Sequence, residues 1–375
     1  MKIRVLHIVL SMETGGLENG IVNLTNNADA DNYTVDVLCL RERGELADRI
    51  TNPNSQVLFD NDRSHSLLTA IKKIYKTCKT GNYHVIHSHG FTTMLAGYIA
   101  GKLARTPIIM NGEHGTLYHS SSKQRIAQKI LFKKMNANLT VSEDLIREIR
   151  ESFNLGDDNF QAIINGVDTE KFKPDKKIGA QIRQDLNLSN SDILIGSVGR
   201  LVEVKNYKSL INAFSLICHE QPHVHLVLAG SGPERKSLEN QINHYQLNKR
   251  IHLLGRRDDI PRIMNAIDIF VLPSFSEGLS NTLLEAMSCG TPVIASDVGG
   301  NGEIIVPQIT GYLYESNNDN GLANLLGKLV NNPKHIQQLS ELAREHILVN
   351  YSLSSMVNNY EAVYSKLMHK TNLTQ

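Results

Sequence analysis

Short apolar runs recur along the whole chain, and longer stretches with helical spacing of apolar residues separate them. Each run ends in a loop containing glycine, proline or a polar residue, which is typical of a buried strand followed by a turn. The runs predict strands over residues 4–10, 34–40, 84–88, 107–110, 138–141, 193–198, 224–229, 251–254, 267–272 and 293–295. Because strands that alternate with helices form parallel sheets with helices on both faces, we expect two Rossmann-like, doubly wound α/β domains.

The alternation is interrupted by a polar run, KPDKK, directly after Phe172. We interpret residues 173–177 as a linker between a first domain, residues 1–172, and a second domain, residues 178–352. Two such domains leave a cleft between them. Residues 353–375 begin with helical spacing and have no strand partner, so they predict a C-terminal helix that crosses between the domains, followed by a tail.

The composition is that of a globular protein with room for two domains, since the chain has 375 residues of which 41% are hydrophobic. No apolar stretch approaches the ~20 residues of a membrane span, and the opening MKIR leads directly into a strand rather than a signal peptide. The cysteines lie far apart at Cys39, Cys78, Cys218 and Cys289, which predicts neither disulfides nor a zinc knuckle. We therefore expect a cytoplasmic protein with reduced thiols.

The net charge of +1 conceals a strongly basic stretch. Residues 63–134 contain twelve lysines and arginines and a single acid, Glu113. Two amphipathic helices are predicted here, the first with Leu68, Ile71 and Ile74 facing inward. Their basic residues are Lys72, Lys73, Lys76 and Lys79 on the first helix, and Lys123, Arg125, Lys129, Lys133 and Lys134 on the second. They favour either peripheral docking on anionic lipid near an acceptor site or two solvated helix faces packed on the first sheet.

Glu277 and Glu285 stand with seven residues between them, at the end of the predicted strand 267–272. Ser280 or Asn281 can cap a short helix that ends at Gly290. The backbone N–H groups of Gly278, Leu279 and Ser280 then face outward, which suits a phosphate. Two carboxylates beside an anion site predict a ligand that is both negatively charged and rich in hydroxyl groups.

Six motifs follow one another in a recognisable order. They are Gly15-Gly16-Leu17-Glu18, Glu113-His114-Gly115, Asn165-Gly166-Val167-Asp168, Gly199-Arg200 with Lys205-Asn206, Gly230-Ser231-Gly232-Pro233-Glu234, and the block from Glu277 through Glu285 to Gly299-Gly300. Through these six motifs the chain resembles the family 4 glycosyltransferases of GT-B architecture. The resemblance extends from Val5 to about Tyr364. The opening GGLENGIVNL is more weakly similar to sugar transferases of bacterial exopolysaccharide systems.

The resemblance implies a retaining transferase with a nucleotide-diphosphate sugar, UDP- or GDP-linked, as donor and a glycan or glycolipid of the bacterial surface as acceptor. Glu285 would bind the ribose, and Glu277 and His114 would face the transferred sugar, the histidine in either protonation state. Arg200 and Lys205 would stabilise the departing diphosphate, with no metal or other cofactor required. The glycines Gly15, Gly16 and Gly232 would allow close approach of the donor. No nucleic-acid partner is implied.

Two other interpretations of the whole chain stay open. One is a different GT-B enzyme, such as a sugar-nucleotide epimerase or a phosphorylase, and the other is a catalytically silent nucleotide-binding subunit.

Two local features could be mistaken for metal sites, and each has a simpler structural explanation. His87 and His89 share a strand face but have no third ligand at metal spacing in the sequence, and Asp29-Ala30-Asp31 lies in a polar turn.

Overall fold

The computed structural model describes residues 2–13, 15–59, 66–114, 121–156, 159–189 and 191–372. The chain forms two compact units, Met1–Gly166 with Leu353–Gln375, and Val167–Ser352. The boundary therefore lies at Gly166, before the predicted linker. Phe172 is buried in the core of the second unit, and Asp175 caps a helix that begins at Lys176, so residues 173–177 pack as part of that unit.

The first unit contains a parallel sheet with strand order β3-β2-β1-β4-β5-β6-β7. Its strands are β1 Ile3–Val9, β2 Tyr33–Cys39, β3 Val57–Phe59, β4 Val85–His89, β5 Ile108–Glu113, β6 Asn138–Thr140 and β7 Phe160–Ala162. Its helices are α1 Gly16–Asn27, α2 Leu67–Gly81, α3 Phe91–Ala104, α4 Ser122–Lys134, α5 Glu143–Phe153 and the C-terminal α14 Leu353–Asn372. A 3-10 helix spans Glu45–Arg49.

The C-terminal helix α14 returns to the first unit and covers one face of its sheet. Its buried residues Met356, Val357, Tyr360 and Tyr364 share a core with apolar residues of β1, β2, β4 and β5. This face also carries histidines, because His7 on β1 is in register with His87 on β4. The predicted helix is thus present, and its core contacts belong to the first unit.

The second unit contains a parallel sheet with strand order β10-β9-β8-β11-β12-β13. Its strands are β8 Ile193–Val198, β9 Val224–Ala229, β10 Ile251–Gly255, β11 Ile269–Leu272, β12 Val293–Ser296 and β13 Gly311–Tyr314. Its helices are α6 Lys176–Asp185, α7 Tyr207–Ile217, α8 Arg235–His244, α9 Ile260–Ala266, α10 Asn281–Ser288, α11 Asn301–Ile304, α12 Asp319–Val330 and α13 Pro333–Asn350, with a 3-10 helix at Glu203–Lys205.

The central strands of both sheets are continuous apolar runs because helices cover both faces. In the second unit, two buried clusters lie on opposite faces of the sheet, one holding Leu226 and Leu228 and the other Val227 and Ala229. The architecture is the pair of Rossmann-like, doubly wound units that the sequence predicts. Within the described part of the chain, no helix is both long enough and apolar enough to cross a membrane.

Candidate functional site

The strand order of the second sheet reverses between β8 and β11, and the loops leaving these two strands flank the resulting crevice. Such a switch point is where doubly wound sheets bind ligands. The loop after β8 carries Arg200 and Lys205, and the loop after β11 carries Glu277 and Gly278. A hydrogen bond of 2.8 Å from the Phe275 N–H to the Val204 carbonyl joins the two loops.

Lys205 and Glu277 form an ion pair at this crevice, with Lys205 Nζ 2.6 Å from Glu277 Oε1. The hydroxyl of Ser274 donates to the same oxygen at 2.5 Å. Only 9% of the Glu277 side chain and 19% of the Lys205 side chain are exposed. The two charges balance each other, so Lys205 is ion-paired here, and its predicted contact with a diphosphate stays a prediction.

Arg200 is exposed, and its guanidinium has no hydrogen bond or ion pair with any residue that the structure describes. Glu203, the acidic residue three positions further along the chain, does not pair with it. With Lys205 paired, Arg200 supplies the uncompensated positive charge at the switch point.

The loop before α10 presents backbone donors. Among the described residues, the N–H groups of Gly278, Leu279 and Ser280 have no acceptor. The helix begins at Asn281 and ends before Gly290, as predicted, although the Ser280 hydroxyl contacts Thr282 Oγ1 at 3.1 Å instead of capping the helix. Gly299, at φ 52°, supports the loop from behind, since any side chain there would collide with the Glu277 carbonyl. The loop is thus held in a shape that leaves its donors available for an anion.

Glu285 lies on α10 with a half-buried side chain. Its carboxylate makes no hydrogen bond within the part of the chain that the structure describes. Burial raises the pKa of Glu285 to about 7, and Lys171 partly opposes this shift. A half-buried carboxylate with no hydrogen-bond donor from the described residues is open to a ligand that donates hydrogen bonds.

The predicted donor-binding glycines have local structural causes as well. A side chain at Gly232 would collide with the Leu201 carbonyl, because the loops after β8 and β9 are joined by backbone hydrogen bonds. Gly15 is the N-cap of α1, and a side chain there would collide with the carboxylate of Glu18. Gly16 is the first residue of that helix. Contact of these glycines with phosphate stays a prediction.

His114 follows β5 directly and is half-buried. Its Nε2 atom lies 2.9 Å from Nδ1 of His89. Burial lowers the pKa of His114 to about 4, so the ring is neutral at physiological pH and not poised between two states as the sequence suggested. The adjacent Glu113 accepts from Asn111 at 3.0 Å, and burial raises the pKa of Glu113 to about 7. Gly115, the end of this motif, lies outside the described residues.

His7 is not among the site residues that the sequence predicts. His7, His87 and His89 form a buried group whose candidate ligand atoms lie within 4.8 Å of one another, so a third histidine does accompany the pair. Five of their six ring nitrogens are engaged in hydrogen bonds with one another, with His114 or with Tyr364. A metal ion would have to break these bonds. The signal available in the sequence was the apolar strand 4–10, which places His7 among buried positions.

Two family models match the chain, "Glycosyltransferase Family 4" over residues 14–171 and "Glycosyl transferases group 1" over residues 180–346. The chain belongs to the family 4 glycosyltransferases. It is 28% identical over 379 residues to the UDP-Gal:alpha-D-GlcNAc-diphosphoundecaprenol alpha-1,3-galactosyltransferase of Escherichia coli, covering 97% of each protein. In fold it is similar to a glycosyltransferase from Rickettsia africae, with a TM-score of 0.87, 20% identity and 98% and 99% of the two chains covered. It is also similar to Anabaena HepE in complex with UDP-glucose, with a TM-score of 0.84, 22% identity and 97% and 100% covered.

The basic stretch of this glycosyltransferase forms α2 and α4, which both contact α3. On α4, the residues Lys123, Ile126, Ile130, Lys133 and Lys134 are all exposed, and helix geometry places them within about a third of the circumference. We call them the basic face of α4. Ile126 is 62% exposed and Ile130 53% exposed, so two large apolar side chains lie among the lysines.

Several other predicted docking residues have partners or orientations of their own. Arg125 donates to the Ser152 carbonyl at 2.6 Å, and Lys129 is half-buried. On α2, Lys73 is half-buried above the Phe59 ring, whereas Lys72 is exposed. Leu68, predicted to face inward, is 71% exposed because it lies in the first turn, before the buried side of the helix at Ile74 begins. On α2, Lys76 and Lys79 are exposed as Lys72 is, so docking on lipid stays a prediction for both helices.

The Asp29-Ala30-Asp31 segment is a polar turn, as the sequence indicates. Asp29 accepts from the Asp31 N–H at 2.9 Å and from Asn32 Nδ2 at 2.7 Å. Its carboxylate is thereby used to hold the turn before β2.

Proposed function

We propose that this glycosyltransferase moves a hexose from a UDP-sugar to a lipid-linked glycan acceptor during synthesis of a bacterial surface polysaccharide. The names of the Escherichia coli relative and of the HepE complex support a UDP-sugar as donor. The E. coli name also supports a polyprenyl-diphosphate-linked sugar as acceptor. The observation that carries the proposal is the set of unsatisfied groups at the switch point of the second sheet: three backbone donors, one exposed arginine and one partnerless, half-buried carboxylate.

Each of these groups matches one part of a nucleotide-diphosphate sugar. The carboxylate of Glu285 accepts hydrogen bonds from the two ribose hydroxyls. The backbone N–H groups of Gly278 to Ser280 at the start of α10 bind diphosphate oxygens, assisted by the positive end of the helix dipole. Arg200 offers a planar fork of donors to the same oxygens. Gly15 and Gly16 leave room for the donor to approach the backbone before α1.

The reaction breaks the bond between the anomeric carbon and the diphosphate, so negative charge develops on the departing oxygen. Arg200 and the loop N–H groups stabilise this charge, which is the largest contribution expected in such a reaction. The acceptor hydroxyl attacks from the side that the diphosphate leaves, and its proton passes to a phosphate oxygen. Anomeric configuration is then retained, and the positive charges of the protein perform the role that a divalent metal performs in other transferases.

The remaining two site residues act on the sugar. Glu277 is held by Lys205 and Ser274 in one orientation, so its second oxygen, Oε2, can accept from a sugar hydroxyl at a defined position. His114 is neutral, and its Nδ1 atom has no partner within the residues that the structure describes. It therefore serves as a hydrogen-bonding group toward the sugar rather than as a positive charge.

The basic face of α4 docks on anionic lipid and so brings the enzyme to a lipid-linked acceptor. Its lysines attract lipid headgroups while Ile126 and Ile130 enter the interface, an arrangement typical of reversible, peripheral binding. The exposure of both isoleucines favours this use over a merely solvated helix face.

The direct test of function is product analysis by mass spectrometry. The protein is incubated with UDP-glucose, UDP-galactose, UDP-GlcNAc and GDP-mannose, each with a polyprenyl-diphosphate-linked GlcNAc as acceptor. We expect one UDP-sugar to add a single hexose or N-acetylhexosamine to the acceptor, and we expect Glu277→Gln to form that product much more slowly. Conversion of the donor without an acceptor would favour an epimerase or phosphorylase. Binding of UDP-sugars without any product would favour a silent subunit.

A further inference from the structure

Behind His114, buried side chains form one continuous chain of hydrogen bonds. His114 Nε2 lies 2.9 Å from His89 Nδ1, and His89 Nε2 lies 2.8 Å from His7 Nδ1. His7 Nε2 contacts the Tyr364 hydroxyl at 3.2 Å, and this hydroxyl contacts His87 Nδ1 at 3.0 Å. The four side chains behind His114 are at most 7% exposed. The chain therefore runs from a site residue to the C-terminal helix without passing through solvent. We call it the histidine relay.

All four rings in the relay are neutral at physiological pH. Burial lowers the pKa of His7 to about 3 and that of His114 to about 4, and it lowers the pKa values of His87 and His89 well below their usual range. A neutral imidazole carries one N–H donor and one acceptor nitrogen. Each ring that donates on one side must accept on the other. When the Tyr364 hydroxyl also donates one of its two bonds, so that no buried O–H is left unpaired, the relay has two arrangements of its protons, which run in opposite directions.

The far end of the relay distinguishes the two directions. His87 Nε2 is buried and has no partner among the residues that the structure describes. If each group donates toward His114, His87 Nε2 carries a lone pair that accepts no hydrogen bond. If each group donates away from His114, His87 Nε2 carries an N–H that has no acceptor. Buried N–H groups without a partner are the rarer of the two defects in native proteins. The relay therefore favours the direction in which His87 donates to Tyr364, Tyr364 to His7, His7 to His89, and His89 to Nε2 of His114.

Gly112 shows that the backbone leaves room for this arrangement. It lies on β5 beside His89. A methyl group at Gly112 would lie 2.9 Å from His114 Nε2 and from His89 Nδ1, and 3.0 Å from His87 Nε2. These distances are shorter than real side-chain carbons tolerate, so the three rings can approach one another only because residue 112 has no side chain.

We propose that His89, His7 and Tyr364 are positioning residues that hold His114 in the tautomer with its proton on Nδ1. His114 then presents an N–H donor to the transferred sugar, and its ring cannot turn away without breaking the relay. This inference rests on the role of His114 in the proposed function. Free histidine in water prefers the proton on Nε2, so the relay imposes the tautomer that the isolated side chain disfavours. A wrong tautomer of a site histidine is known to be costly in enzymes.

The test is nuclear magnetic resonance of the full chain labelled with ¹⁵N in its histidines, which reports the proton position on each ring without any substrate. In the wild type we expect His114 to be protonated on Nδ1 alone. His89→Leu removes the ring that donates to His114 Nε2 and should return His114 to the Nε2-protonated tautomer that the free side chain prefers. Tyr360→Phe is the control, because it changes a buried tyrosine of α14 that packs beside His87 while its hydroxyl takes no part in the relay. It should leave His114 unchanged.

Steady-state kinetics supply the second measurement. His89→Leu should lower kcat roughly tenfold to a hundredfold, the range for removing a group that orients a reacting side chain, and should leave the affinity for UDP unchanged. His89→Gln can still accept from His7 Nδ1 and donate to His114 Nε2, so it should keep the wild-type tautomer and lose less of kcat; thermal unfolding checks that both variants fold. A wild-type His114 protonated on Nε2 would overturn the proposal, as would an unchanged tautomer in folded His89→Leu.

Two further outcomes separate this inference from its alternatives. The purified protein could contain one equivalent of zinc and lack the Nδ1–H signals of His7 and His89. That result would show that the histidines bind a metal instead of one another, and it would overturn the proposal. A wild type with the expected tautomer but no turnover of any sugar nucleotide would contradict the proposed function and leave the relay intact.

Discussion

At the scale of single residues, the switch point of the second sheet combines one ion pair, Lys205 with Glu277, and one positive charge without a counter-ion among the described residues, Arg200. Lys205 and Glu277 neutralise each other, so the net positive charge offered to a diphosphate comes from Arg200 and the loop N–H groups. Removing one partner of a mostly buried pair leaves the other charge uncompensated and destabilises the fold. Arg200 is therefore the cleaner position for a test of charge stabilisation than Lys205.

Arg200→Ala should lower kcat/KM by roughly two to three powers of ten, the effect of losing one donor to the transition state. The fold should be unaffected, since the side chain is exposed. Arg262→Ala, which removes another exposed arginine of the same unit, is the control and should change kcat/KM little. Activity of Arg200→Ala within about threefold of the wild type would remove Arg200 from the site.

Glu277→Gln should separate donor binding from turnover. The variant keeps the shape of the side chain but releases the charge of Lys205, so free UDP should bind as tightly as in the wild type or more tightly. Turnover should fall by at least tenfold or so, because the sugar loses a charged hydrogen-bond acceptor. Calorimetry with UDP and steady-state kinetics measure the two effects. Weaker UDP binding in this variant would mean that Glu277 itself contacts the nucleotide.

Glu285→Gln should remove a pH dependence of the folding stability. Because burial raises the pKa of Glu285 from 4.5 to about 7, the folded protein keeps a proton between these values that the unfolded chain has released. Stability contributed by this group is therefore lost as pH rises through that window. The variant should unfold a few degrees higher than the wild type at pH 8 and at the same temperature at pH 4.5.

Binding of UDP should show the opposite trend for the same residue. Above pH 7 the carboxylate is ionised and accepts from ribose more strongly, so the wild type should bind UDP roughly tenfold more tightly than Glu285→Gln at pH 8 and less so at pH 6. The charge of UDP itself also changes with pH, and taking the ratio of the two affinities at each pH removes that effect. A ratio near one at both pH values would contradict the ribose role.

At the scale of elements, the sequence predicts every central strand and misses three of the four edge strands, β10 being the edge strand that it finds. Its ten predicted strands are present with small shifts of their ends, and β8 and β9 match at both ends. The missed strands β3, β7 and β13 are short, and each lies at the edge of a sheet. An edge strand has only one neighbour and less burial, so it does not need a long apolar run. The polar run at residues 173–177, predicted as a linker, is instead part of the second unit. A polar run can also begin a helix, and here Asp175 caps α6.

The basic face of α4 is tested by reversing its charges. Lys123, Lys133 and Lys134, all changed to Glu, should weaken binding to anionic vesicles by roughly a hundredfold, at about 1 kcal/mol for each lysine. The control changes three exposed lysines of the second unit, Lys236, Lys249 and Lys334, to Glu and so alters the net charge equally. Co-sedimentation at low and high salt measures both variants. Equal binding of the wild type to neutral and anionic vesicles would contradict docking on lipid.

At the scale of the whole molecule, the sequence could name the residues of the switch point but not the group behind His114. The switch-point residues lie in loops at the ends of two strong strands, so strand prediction alone brings them together. The histidine relay draws on β1, β4, the end of β5 and α14, and Tyr364 is 357 residues from His7 along the chain. Nothing in the spacing of these residues indicates contact. Only the strand order, with β1 beside β4, makes His7 a neighbour of His87.

The most direct test of the account is the configuration of the first-formed product, followed by proton NMR in the presence of EDTA. The donor is a UDP-sugar with an α-linked hexose, and the acceptor is the polyprenyl-diphosphate-linked GlcNAc. We predict an α-linked product formed at the same rate with and without EDTA, because leaving-group charge is stabilised by Arg200 and the loop before α10. A β-linked product, or a rate abolished by EDTA and restored by magnesium or manganese, would contradict it.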